Sequence, residues 1–115
     1  MILYHYTAEY ILPKIKQEGL LPMGLNWLTK SGETENTVNS HGRYTQGRIK
    51  VLATKDMLSF PENREKDRDL LSCFMMLEMI DLISDTTNWY YTERLILPEE
   101  ILAYEILVDG KWKAV

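Results

Sequence analysis

Leu3-Tyr4-His5-Tyr6-Thr7, followed by the segment Leu12 to Leu20, is the stretch on which the reading of this chain turns. Met1 to Tyr6 has the aromatic and aliphatic character of a strand. In a regular strand His5 faces one side and Tyr4 and Tyr6 face the other. Thr7 then reads as a helix cap, with Glu9 in the first turn where negative charge is favourable. Tyr10, Ile11, Ile15 and Leu20 recur at helical spacing, with Lys16-Gln17-Glu18 on the polar side. Pro13 is tolerated only in a first turn, so the helix is predicted to begin near Leu12. Gly19 suits the terminating position, where a left-handed backbone is cheap. A histidine inside such a core-like strand has two readings. It is a strand residue hydrogen-bonded near an edge, or it orients a sugar hydroxyl or a ring through one nitrogen.

Working outward, Pro22-Met23-Gly24 turns the chain and Asn26 to Thr29 predicts a second strand. Lys30 to Gly47 is polar throughout and reads as a long loop. Loops beyond about fifteen residues in a small domain are commonly functional. Arg48 to Thr54 reads as a strand, and Pro61 interrupts the segment after it. Glu62 to Asp69 mixes both charge signs and reads as a solvated turn or helix start. Leu70 to Ser84 predicts a buried helical segment, with a strand over Phe74 to Met79 as the alternative. Trp89 to Tyr91 reads as another strand and Leu97 to Ile101 as a helical turn opened by Pro98. Leu102 to Val108 predicts a final strand closed by Asp109-Gly110. The expected class is α+β, a single domain over 1–115 built from short strands with peripheral helices set to one side.

Composition narrows the function classes. With 115 residues, 45% of them hydrophobic, the chain has enough apolar material for a modest core. Its formal net charge of -4 gives no general attraction to phosphate backbones. Arg43, Arg48 and Lys50 still form a local basic group. No run of eighteen apolar residues is present, so no membrane-spanning helix is expected, and the strand-like opening gives no expectation of a signal-peptide leader. The single cysteine, Cys73, supports neither a disulfide framework nor a multi-cysteine metal site, and reads as a buried small hydrophobe. A cytoplasmic location is the expectation. His5 and His41 belong to no metal-binding spacing, and glycine-rich phosphate loops are missing.

Glu93 follows Trp89-Tyr90-Tyr91-Thr92 at a predicted strand end. A carboxylate there can accept hydrogen bonds from ribose hydroxyls and stabilise positive charge developing on an adjacent carbon. Equally, it is a surface residue paired with Arg94. Glu99 and Glu100 fit a helix start, and Glu105 in the last strand can face either way.

Tyr4-His5-Tyr6-Thr7, Leu12-Pro13-Lys14-Ile15 and Glu18-Gly19-Leu20 together resemble the opening of small ADP-ribosyltransferase-fold proteins. These include the DNA-targeting ADP-ribosyltransferase toxins and, more distantly, the RNA 2′-phosphotransferases. Asn26-Trp27-Leu28-Thr29 is similar to the family's second strand, and Glu93-Arg94-Leu95-Ile96 to the segment with the catalytic glutamate. The resemblance implies an NAD-dependent mono-ADP-ribosyltransferase, toxin-like or of phage type, acting on a protein or nucleic-acid acceptor. Negative net charge favours a protein target. His5 would hold the ribose and nicotinamide side of NAD, with Thr7 and Trp27 close to the pocket. Glu93 would stabilise the oxocarbenium-like transition state. Tyr10 or Tyr44 would stack on nicotinamide, and Arg43 or Arg48 would grip phosphates. The alternative is a non-enzymatic partner-binding or inhibitor protein on the same fold, with an interface at Trp89 to Tyr91 or the loop Ser31 to Gly47.

Overall fold

Six residues with side chains alternating between two covered faces make β1 (Ile2–Thr7) a central strand. Leu3 and Tyr6, on opposite faces, are both buried. The computed structural model describes residues 1–22, 24–32 and 46–115. β1 lies between β2 (Asn26–Thr29) and β3 (Gly47–Leu52), and β2 continues to β5 (Trp89–Thr92) and the two-residue β4 (Leu58–Ser59). On the other side β3 continues to β6 (Ile101–Val108) and β7 (Lys111–Ala114). Every pairing is antiparallel, and the order is β4-β5-β2-β1-β3-β6-β7. The fold is a small mixed α+β domain with peripheral helices.

α1 (Leu12–Glu18) begins with Pro13 in its first turn, as its spacing predicts, after a 3₁₀ turn over Glu9–Ile11. Thr7 ends β1 instead of capping the helix; Ala8 precedes the turn and makes no side-chain cap bond. Leu12 and Ile15 seal one face of the sheet against Leu3, Leu28, Ile49 and Val51. Gly19 closes the helix at φ 82° and ψ 179°, a conformation essentially restricted to glycine. A Cβ there would stand 2.5 Å from the Ile96 carbonyl oxygen. That close approach lets Leu20 and Ile96 exchange backbone hydrogen bonds of 2.8 and 3.1 Å.

The other face is covered differently. α2 (Phe60–Asn63), α3 (Arg68–Ser72) and α4 (Leu77–Ile83) bring Phe60, Leu71 and Leu77 onto Trp89 and Tyr91, with Trp27 packed alongside. Helices therefore occupy both faces, where the sequence suggested one side. The remaining half of this second face is held by polar and aromatic groups. Arg48 is ion-paired with Glu105 at 2.7 Å, and its guanidinium lies 4.5 Å from the Tyr4 ring centre and 4.2 Å from that of Trp112.

Three further expectations change. The Leu70 to Ser84 stretch is two short helices and not one buried segment, with Phe74, Met76, Met79, Leu82 and Ile83 exposed. Only one side of α4 meets the sheet, and three of its five apolar residues, Met79, Leu82 and Ile83, are exposed. Cys73 is exposed, its thiol donating to the Asp69 carbonyl at 3.3 Å. Asp109-Gly110 does not close the last strand but turns it into β7. Both residues have positive φ, 52° and 76°, as a two-residue hairpin of the mirror-image type requires.

Candidate functional site

β1 and β3 are in register over six residue pairs, from Ile2↔Leu52 to Thr7↔Gly47. β1 and β2, by contrast, share the single pair Tyr4↔Thr29. Next to this thin seam the His5 ring hydrogen-bonds the Trp27 carbonyl through Nδ1 at 2.7 Å. A carbonyl oxygen only accepts, so Nδ1 is the protonated nitrogen of the neutral ring and Nε2 remains an acceptor. Burial lowers the His5 pKa, outweighing the carbonyl bond that raises it, so the ring is neutral at pH 7.

His5 lines a cleft of about 390 Å³ between α1 and the β1–β2 seam, together with Thr7, Lys14, Glu18, Asn26 and Trp27. The volume falls in the range of small-molecule sites. Asn26 forms one wall and is itself pinned. Its amide nitrogen donates to the Leu20 carbonyl at 2.9 Å and to the Arg94 carbonyl at 3.0 Å.

Across the β2–β5 pairing, where Asn26 faces Thr92, a second hollow of about 500 Å³ opens. Asp56, Asp67, Tyr91, Thr92, Glu93 and Arg94 line it. Arg94 does not pair with Glu93. Its guanidinium bonds Glu100 through both terminal nitrogens at 2.8 Å and Asp56 through Nε. Glu100 also accepts from the Leu97 backbone N–H at 2.8 Å, which explains it as a helix-start residue. Hydrogen bonds from Arg94 hold the carboxyls of Asp56 and Glu100 below their ordinary pKa values. Those two carboxylates raise the Arg94 pKa in turn. Burial, and then the 2.5 Å bond its hydroxyl donates to Asp67, push the Tyr91 pKa up.

The structure thus places His5, Thr7 and the Trp27 backbone at one cleft, with the Trp27 ring in the aromatic cluster on the other face, and puts Glu93, exposed, in a separate hollow. Tyr10 is 73% exposed and lines neither. Arg48 pairs across the ladder with Tyr6, so it projects from the sheet face opposite His5, where Glu105 and the aromatic rings occupy it. Arg43 and Tyr44 lie outside the described residues. Lys14, Glu18 and Asn26 are cleft residues that sequence reasoning missed. Lys14 and Glu18 carried a signal, because positions 11, 14, 15 and 18 share one side of a helix. Asn26 carried none.

No family model matches the chain, and no curated protein or solved structure matches it. Its chemistry is therefore argued from its own residues. The two hollows share no lining residue: one has a neutral imidazole and a lysine, the other Glu93. The first has the size and polar lining to hold a small polar ligand.

Proposed function

We propose that this chain is an NAD-dependent mono-ADP-ribosyltransferase of the ADP-ribosyltransferase fold, with the α1–β1–β2 cleft as the nicotinamide and ribose site. The observation that carries the reading is His5, neutral and locked through Nδ1 to the Trp27 carbonyl, in a cleft that also contains Thr7. Its Nε2 accepts from a ribose hydroxyl, and the Thr7 hydroxyl supplies a second polar contact. Lys14, at the cleft edge, takes the phosphate role for which arginine was expected; among the described residues no arginine lines this cleft.

NAD supplies a glycosidic bond whose rupture leaves positive charge on the ribose carbon. Glu93 stands one residue beyond Thr92, the cross-strand partner of the cleft residue Asn26. In this reading its carboxylate stabilises the developing charge and steers the acceptor to the exposed side. The acceptor is a protein: net charge of -4 opposes a polyanionic target.

The test is calorimetry with NAD on wild type and His5→Ala, with nicotinamide release followed in the same samples and folding checked by circular dichroism. The substitution should abolish binding. Glu93→Gln should lower release by about a hundredfold or more while leaving NAD affinity nearly unchanged. Wild type that fails to bind at millimolar NAD refutes the assignment, as does an equal loss of release in Glu18→Gln with Glu93 intact.

A further inference from the structure

We propose that the outer face of α3–α4 is a docking surface for a basic amphipathic helix of a partner protein. This inference stands apart from the NAD reading and uses none of the cleft residues. It starts from the angular arrangement of α4 (Leu77–Ile83). At about 100° per residue, Leu77 and Ile80 point toward the sheet, where Leu77 is buried and Ile80 packs on the aromatic cluster. Leu82, Met79, Ile83 and Met76 then fall in one outward arc, and all four are exposed, Leu82 to 81% and Met76 to 70%. Phe74, half exposed, extends the patch toward α3. Scattered exposed apolar residues need no explanation, but five within ten positions is the concentration expected of an interaction site. Methionine and leucine on such a face adapt to different apolar helices, because unbranched thioether side chains repack easily.

Charge selects the occupant. From Glu62 to Asp85 the chain carries seven carboxylates and three cations, an excess equal to the whole formal charge of -4. Between Asp69 and Asp85 there are four carboxylates and no cation. On α4 the carboxylates Glu78 and Asp81 border the apolar arc on one side, and Asp85 follows its end. Arg68 reaches Glu78 at 2.9 Å and Arg64 reaches Asp81, so the two flanking acids are paired and the net excess of the segment is carried by acids that include Asp69 and Asp85. An apolar strip on a segment with this net negative charge matches a helix with an apolar stripe and lysine or arginine on its flanks. The same charge opposes a second copy of this surface and an anionic bilayer. Of the aromatic run proposed from the sequence as an interface, Trp89 and Tyr91 are each only 1% exposed and Tyr90 is half-buried.

The test uses the full chain and two synthetic fluorescein-labelled peptides of equal length with the same leucine stripe. One has lysine on its polar face and the other glutamate. Anisotropy should show the lysine peptide binding at least about tenfold tighter, or 1.4 kcal/mol. Amide shifts in a titration should cluster between Arg68 and Asp85. Met79→Glu/Leu82→Glu, at exposed positions that leave folding intact, separates docking from bulk electrostatics. It adds negative charge, so simple charge attraction would strengthen binding, whereas docking would be lost. The neutral Met76→Ser/Leu82→Ser should also weaken it. Equal affinity for the two peptides, no binding of either, shifts elsewhere on the sheet, or tighter binding by the glutamate variant overturns the proposal. So does wild-type dimerisation that Met79→Glu/Leu82→Glu abolishes, which would make a second copy the occupant.

Discussion

Replacing Glu105 by leucine strands a guanidinium that the fold has taken out of water. Arg48 and Glu105 side chains are 8% and 11% exposed and meet at 2.7 Å. Removing one member of a buried pair costs about 3–5 kcal/mol, mostly from the charge left behind. Here some compensation survives. Arg48 keeps the Tyr6 hydroxyl and the Gly32 carbonyl, both at 3.3 Å, and the faces of Tyr4 and Trp112. Cation–π contacts of this kind are worth about 0.5–2 kcal/mol, so the expected loss in Glu105→Leu lies near the lower bound, about 3 kcal/mol. Arg48→Met should cost less, because Lys50, 3.5 Å from Glu105 and partly exposed, still faces the carboxylate. The double variant leaves neither charge unpaired and should lose less than the two singles together, with a coupling of about 2 kcal/mol or more. Urea unfolding of the four proteins at equal denaturant slope measures the cycle. Additivity within about 0.5 kcal/mol, or a Glu105→Leu loss under about 1 kcal/mol, would refute the reasoning. Either would mean that water reaches this pair.

Gly19→Ala must put a Cβ 2.5 Å from a backbone oxygen at φ 82°, so it should destabilise by about 2 kcal/mol or more. In Gly110→Ala, at φ 76° with nothing within 4 Å, the loss should be about 1 kcal/mol; thermal unfolding that ranks them the other way contradicts the close approach. The depressed His5 pKa means that the unfolded chain takes up a proton the folded chain refuses. Stability should therefore be full above the unfolded value, about 6.5, and decline as pH falls below it toward the folded value. His5→Gln should remove that slope while keeping the steeper loss below about pH 4 that comes from protonating Asp56 and Glu100 beside Arg94. Denaturant titrations at several pH values would show an unchanged slope in His5→Gln if the imidazole is not the group responsible.

Parts of this fold were legible because their causes are local. Pro13 and Gly19 delimit α1 through their own backbone restrictions, and Asn26 to Thr29 and Trp89 to Tyr91 read as strands from composition. The alternation of β1 already put His5 opposite Tyr4 and Tyr6, and Tyr6 pairs with Arg48 on that other face. The error over Leu70 to Ser84 has a physical origin too. Apolar density says how much surface a helix could bury, but the sheet offered α4 one side only. Of the residues read from the sequence, His5, Thr7 and the Trp27 backbone line one cleft, whereas Lys14, Glu18 and Asn26 line it through packing that no local signal announced for Asn26.

The sequence by itself determined the identity of most elements, their ends and the α+β class, since each depends on restrictions acting within a few residues. Tertiary structure alone decided that β1 lies between β2 and β3, that Arg48 finds Glu105 fifty-seven positions away, and that Glu93 lines a hollow with Asp56, Asp67 and Arg94. Those outcomes depend on which faces become covered when distant strands pair, and that burial is shared by the whole sheet instead of being encoded at any one position.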